Sequence, residues 1–260
     1  MMNNATMKKL DQLKLFGMAN EFDQQLNAAS YAGLSFEERF GMIVDRETTF
    51  RDDKRLKRLL SLAHLRETAC MEDIRYSTSR GFEQSQMASM RTGSWITSKL
   101  NAIFTGPTGS GKTWLACALG HQACCLGKRT HYQRIPLLLE TLGTGHIDRT
   151  FNSQIKALGK WELLILDDLG LKPLKAENRS DLFEVIEARH NNASTILISQ
   201  LPTADWHKWL AGAGPGVPGE GASGNPTIAD AFLDRVLSRA VKFDLKGKSM
   251  RTGSDGKPDE

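Results

Sequence analysis

Eight consecutive residues carry the strongest chemical signal in the chain: Gly106-Pro107-Thr108-Gly109-Ser110-Gly111-Lys112-Thr113. Three glycines within six positions let the backbone turn successive N–H groups toward one point, which makes a concave seat for an anion. An apolar, β-branched run precedes the segment and a helical pattern follows it, so the anion would sit at a helix N-terminus. Lys112 would then reach the β- and γ-phosphates of a nucleoside triphosphate, and the Thr113 hydroxyl would ligate Mg²⁺. Trp114, next in the chain, joins the loop as a nucleotide contact. A bare glycine-rich turn is the alternative, and the strand before and helix after the loop weigh against it.

The second chemical element is Leu163-Leu164-Ile165-Leu166-Asp167-Asp168. Four apolar residues make a buried strand, and the acids fall at its carboxyl end, where open α/β sheets place their sites. Asp167 has the position of the acid that holds Mg²⁺. Asp168 has the position from which an acid orients attacking water, with a helix or turn cap as the competing role. Aspartate is one methylene shorter than glutamate, which suits slow turnover. Ser199 and Gln200 end another apolar strand and are both candidates to sense the γ-phosphate, against a solvated strand end. Arg235 and Arg239 lie in an apolar helix with Asp230 and Asp234. They are candidates for an arginine presented to a neighbouring subunit's γ-phosphate, a role that a planar, permanently charged guanidinium suits. An internal ion pair on a solvated helix face is the alternative.

Positioning these groups requires a sheet. After Trp95 short β-branched runs alternate with helical segments, the pattern of a parallel sheet with crossover helices. Strands are expected at 100–105, 130–133, 163–167, 195–199 and 241–245, with helices beginning near Lys112, Pro136, Asn178 and Ile228. Five parallel strands with crossovers make a three-layer α/β domain over residues 99–250. Ahead of it, Leu10, Leu13, Phe16, Ala19, Phe22 and Leu26 recur at helical spacing, and Ser35 with Glu38 has the form of a capping box. Residues 1–75 therefore read as a small all-helical N-terminal domain, and 76–98 as a connection. The stretch 211–225, dense in glycine and proline, reads as a mobile surface loop, and 251–260 as a disordered tail.

The bulk composition suits an ordinary globular chain: 40 % hydrophobic and 25 % charged residues leave enough apolar material for a core. A net charge of +4 permits a nucleic-acid partner without requiring one. Cys70, Cys117, Cys124 and Cys125 show no C-x-x-C spacing and read as small buried side chains. The first residues lack an apolar leader core and no stretch is long enough to span a membrane, so the cytoplasm is the expected compartment.

With these pieces in hand the chain resembles the IstB-type transposition helper ATPases of the AAA+ superfamily, and more distantly the DnaC helicase loaders. The likeness is carried by Leu34-Ser35-Phe36-Glu37-Glu38-Arg39, by residues 106–116, by Leu164-Ile165-Leu166-Asp167-Asp168-Leu169-Gly170, by Ser199-Gln200-Leu201-Pro202 with Trp206-His207, and by Asp234-Arg235-Val236 followed by residues 245–251. It implies a P-loop AAA+ fold without a C-terminal lid, ATP and Mg²⁺ as ligands, and ATP hydrolysis. It also implies self-assembly into a ring or spiral, remodelling of nucleoid DNA, and recruitment of a partner transposase. A DnaC-like helicase loader is the alternative, and a small-molecule kinase or a non-hydrolysing assembly switch stands further off. Arg235 matches the finger position, with Arg239 second. DNA would be held mostly by its phosphates. The basic candidates are Arg134, Arg149, Lys156 and Lys160 after the second strand, and Arg51, Lys54, Arg55, Lys57 and Arg58 in the helical domain.

Overall fold

A computed structural model of the chain describes residues 2–74, 76, 81–212 and 226–246. The glycine- and proline-rich stretch from residue 213 on, and the expected tail, lie outside them. The described residues fall into two compact units, one ending at Arg58 and the other beginning at Leu59.

The first unit holds α1 (Met2–Gln12), α2 (Phe16–Asn27) and most of α3 (Phe36–Ala63). The capping box at the start of α3 forms in both directions: Ser35 Oγ accepts from Glu38 N–H at 3.2 Å, and the Glu38 carboxylate accepts from Ser35 N–H at 2.8 Å. Glu47 caps α2 from a distance, accepting from Gly17 N–H at 2.7 Å and Met18 N–H at 3.2 Å. Burial alone would raise this carboxyl's pKa, but the Arg51 hydrogen bond and the two N–H donors hold it below its ordinary value.

In the second unit five strands form one parallel sheet: β1 (Asn101–Thr105), β2 (Thr130–Arg134), β3 (Leu163–Leu169), β4 (Ser194–Ser199) and β5 (Ala240–Asp244). Their order is β2-β3-β4-β1-β5. Strand β4 thus lies between the strand that leads into the P-loop and the strand that carries the acids. Side chains alternate along β1, so its two faces feed different clusters. Ala102 and Phe104 pack with Leu115 and Leu119 of α6 (Lys112–Cys125). Ile103 packs with residues of α7 (Ile135–Ile147), α9 (Ala176–Arg189) and α11 (Pro226–Leu237). These are the three layers expected. Phe104 stacks on Phe243 of β5 with centroids 4.7 Å apart, tying the edge strand to the centre.

Two stretches differ from the expectation. Ala69, Met71 and Ile74, assigned by pattern to the helical domain, are buried in the α/β unit beside Trp95 and Phe104. Part of the expected connection is helical, as α4 (Gln84–Arg91) and α5 (Ser94–Thr97). Glu83 and Gln86 form a capping box at α4, which buries Met87 and Met90 at a three-residue spacing. A further helix, α8 (Phe151–Gly159), intervenes before β3, and the short α10 (Trp206–Leu210) follows β4. Among the described residues nothing helical follows β5, and no helix is long and apolar enough to cross a membrane.

Candidate functional site

The P-loop joins β1 to α6 at the carboxyl edge of the sheet. Gly106 has φ 138°, and a Cβ there would lie 2.3 Å from the Leu245 carbonyl oxygen, so only glycine lets the loop pass the chain after β5. Gly111, at φ 91°, caps α6 in a left-handed conformation that an L side chain would strain. Lys112 is 7 % exposed and its ammonium donates to the carbonyls of Gly106 and Pro107, each at 2.7 Å. The Ser110 hydroxyl is buried and has no hydrogen-bond partner among the described residues. An orphaned hydroxyl beneath an anion-binding loop fits a phosphate oxygen as its missing acceptor. The cleft in front of the loop measures about 570 Å³, within the range of nucleotide-sized sites. Trp114 lines it, half-buried against the core.

The acids meet the P-loop from β3. Asp167 is 2 % exposed. Its Oδ2 accepts from Thr113 Oγ1 and from the Tyr132 hydroxyl, each at 2.8 Å, and its Oδ1 accepts from Asp168 N–H at 2.7 Å. A Thr113 hydroxyl that donates to Asp167 keeps its lone pairs for a cation, so this pair could hold Mg²⁺. The next residue breaks the strand: Asp168 has φ 65°, and the β3–β4 register shifts between Leu166 and Leu169. This irregularity lets consecutive acids both serve the site, where a regular strand would send them to opposite faces. Aspartate tolerates the left-handed conformation better than most residues. The Asp168 carboxylate is paired to Arg134 at the end of β2, with Nε and Oδ2 2.5 Å apart.

At the end of β4 the two sensor candidates part company. Ser199 is buried; its hydroxyl donates to the Leu169 carbonyl at 2.8 Å and accepts from Leu201 N–H at 3.0 Å. Those contacts fasten the irregular end of β3. Gln200 instead reaches over the P-loop, its Oε1 accepting from Thr108 Oγ1 at 2.8 Å. Of the two side chains, Gln200 is the one bonded to the phosphate loop.

Arg235 and Arg239 do not join the cleft. They border a shallow depression with Lys99, Asn101 and Thr195 at the amino ends of β1 and β4, the opposite edge of the sheet. Arg235 is ion-paired to Glu187 of α9, lies 5.0 Å from the Phe183 ring centroid, and donates to the Ala231 carbonyl. Arg239 donates to Asn191 Oδ1 and to the Ser98 carbonyl. The remaining basic candidates are scattered. Arg134, grouped by sequence with the DNA-facing residues, lines the nucleotide cleft instead, because β2 ends opposite the acids and Arg134 pairs with Asp167 in the β2–β3 register. Arg149, Lys156 and Lys160 are exposed on the α7–α8 region. In the first unit Arg51 is paired to Glu47, and the Lys54 ammonium lies 5.9 Å from the Phe16 ring centroid.

Several residues of the site escape sequence reasoning: Arg66, Glu67 and Asp73 from the segment after α3 and Leu171 after β3 line the cleft, and the buried Tyr132 of β2 is bonded to Asp167. Only Tyr132 leaves a trace, two residues before Arg134 and so on the same strand face. Cys117 and Cys124 are buried, and burial pushes both thiols up, as suits unreactive packing residues.

A parallel sheet of order β2-β3-β4-β1-β5, a P-loop after β1 and an acid pair ending β3 define a P-loop nucleotide-binding domain of the AAA+ class. A family model described as IstB-like ATP binding protein matches residues 8–257, and the chain belongs to that family. The chain is 39 % identical over 251 residues to y4pL of Sinorhizobium fredii, named as an insertion-sequence ATP-binding protein, covering 96 % of this chain and 97 % of that one. It is 46 % identical over 205 residues to the protein named as ATP-binding in insertion sequence IS1162 of Pseudomonas fluorescens, covering 78 % and 89 %. Among solved structures, the DnaC helicase loader superposes with a TM-score of 0.51 at 18 % identity, covering 68 % of this chain and 97 % of that one, a likeness of fold.

Proposed function

We propose that this chain is an ATP-hydrolysing helper of DNA transposition, which assembles with copies of itself on target DNA and there engages a transposase. The observation that carries this reading is the division of its polar groups between the two edges of one sheet. Lys112, Thr113, Asp167, Asp168 and Gln200 converge at the carboxyl edge, while Arg235 and Arg239 lie at the amino edge. A site that draws an arginine from a neighbouring copy is complete only in the assembly.

In that reading the P-loop N–H groups and Lys112 bind the β- and γ-phosphates, and Thr113 with Asp167 holds Mg²⁺. Held there, the metal would supply positive charge against the phosphate oxygens. Asp168 accepts a hydrogen bond from the attacking water and orients it in line, and Gln200 holds the γ-phosphate side of the cleft. A neighbour's Arg235 then stabilises the charge of the transition state. DNA runs along the exposed lysines and arginine of the α7–α8 region, held by its phosphates. The insertion-sequence names of the relatives support a transposase as the partner.

The test is assembly on duplex DNA, followed by light scattering, with and without a non-hydrolysable ATP analogue. Wild-type protein is expected to assemble only with nucleotide and then to stimulate strand transfer by the transposase of its own insertion sequence. Lys112→Ala is expected to do neither. Assembly that needs no nucleotide would contradict the reading.

A further inference from the structure

Asp167 is held from outside the P-loop as well as from within it. Besides Thr113, its Oδ2 accepts from the Tyr132 hydroxyl at 2.8 Å. The Tyr132 oxygen in turn accepts a hydrogen bond from the guanidinium of Arg66, a side chain that lines the cleft. Tyr132 is 8 % exposed and lies opposite Ile165 in the β2–β3 register, while Arg134 lies opposite Asp167. Two residues apart on one strand, they share a face, and each serves one acid of the pair.

We propose that Arg66 and Tyr132 are positioning residues for the metal-holding acid, forming a relay in which Arg66 fixes Tyr132 and Tyr132 fixes Asp167. The inference rests on the reading of Asp167 and Thr113 as the holders of Mg²⁺.

The direction of each hydrogen bond follows from the groups present. An ionised carboxylate has only lone pairs to offer, so the Tyr132 phenol donates its proton to Asp167. Arg66 has only donors, so it must meet the phenol oxygen through a lone pair, which polarises the O–H toward Asp167. With Oδ2 receiving two hydroxyls and Oδ1 receiving the Asp168 N–H, the carboxylate cannot rotate without breaking a bond. Thr113 is fixed by the same contact, with its lone pairs left toward the cleft. The relay ends on the Asp167 carboxylate, so it acts on the metal more than on the nucleotide.

The experiment uses the full chain, an ATP analogue that is not hydrolysed, and Mn²⁺ as a paramagnetic probe. Nucleotide affinity is measured in EDTA, and Mn²⁺ occupancy of the nucleotide complex is then titrated by electron paramagnetic resonance. Tyr132→Phe keeps the ring and is expected to leave the affinity in EDTA and the melting temperature in EDTA at wild-type values. Its Mn²⁺ half-occupancy should shift upward by about 10-fold or more, as for other partners that orient a metal ligand. Arg66→Met should shift in the same direction, and the double variant should shift no further than Tyr132→Phe alone. A wild-type Mn²⁺ titration in Tyr132→Phe would overturn the relay, as would shifts that add in the double variant. Asp167→Asn separates the two readings: its loss of Mn²⁺ supports the metal assignment, and undiminished Mn²⁺ binding would refute that assignment itself.

Discussion

Arg134 and Asp168 are paired across the nucleotide cleft, Nε to Oδ2 at 2.5 Å, although they end different strands and lie 34 positions apart. The pairing occupies one oxygen of the acid that would orient water. An arginine so placed restrains Asp168 while it neutralises it, and anything that draws the guanidinium away frees the carboxylate.

Arg134→Ala is therefore expected to raise DNA-independent ATP hydrolysis. A half-exposed ion pair is worth roughly 0.2–1 kcal/mol, which limits the rise to about fivefold. Asp168→Asn should instead lower the turnover number by about 100-fold or more, the usual share of a positioned acid or base. Steady-state hydrolysis with ATP affinity measured alongside checks both. A fall in basal turnover for Arg134→Ala at unchanged affinity would show that Arg134 assists the reaction.

A second expectation concerns acid stability. His131 of β2 stacks on Trp161 with centroids 5.0 Å apart and meets His64 edge-on at 5.7 Å. Burial lowers its pKa below the ordinary 6.5, and the nearby His64 lowers it further, against a hydrogen bond to the Leu62 carbonyl. The folded imidazole thus binds its proton more weakly than the unfolded one, and stability declines as pH falls below 6.5. His131→Phe keeps the stacking surface and removes the titration. Its melting temperature should change less than the wild type's over the unit of pH below that value. Equal slopes would place the acid sensitivity elsewhere.

A third concerns DNA. Lys156 and Lys160 are exposed near the end of α8. If they meet phosphates, replacing both by glutamine should weaken binding to all sequences alike. The slope of log affinity against log salt should flatten by about 0.9 for each phosphate no longer neutralised. An unchanged slope would remove the α7–α8 region from the DNA path.

The reasons that parts of the site are legible in the sequence, and others not, are physical. The P-loop and Asp167 belong to contiguous stretches whose local geometry requires their residue types, so a strand, three glycines, a lysine and a threonine announce themselves. The sheet is legible because β1, β3 and β4 are buried on both faces and contain near-continuous apolar runs. Asp168 can be picked out by position, but its positive φ and the register shift that turns it to the cleft arise from pairing with β4. Tyr132 meets Asp167, and Arg66 meets Tyr132, from elements far away in the chain; the alternation that puts Tyr132 on the face of Arg134 does not report either meeting. Arg134 misleads for the same reason: the end of an edge strand looks like surface until its neighbour's register is known. The helices α4 and α8 are hard to read because two or three turns carry too few apolar positions to fix a period.

The central claim is that one ATP site is built from two copies of the chain, and complementation tests it most directly. Arg235→Ala alone should bind ATP but hydrolyse it poorly, and Lys112→Ala alone should do neither. Mixed in equal amounts on DNA, the two should recover hydrolysis, with an upper bound of about one quarter of wild type, the fraction of interfaces that would join an intact P-loop to an intact arginine if both variants entered a head-to-tail assembly equally. If the mixture is no more active than its two components measured separately, Arg235 belongs only to its pair with Glu187, and the shared site is refuted.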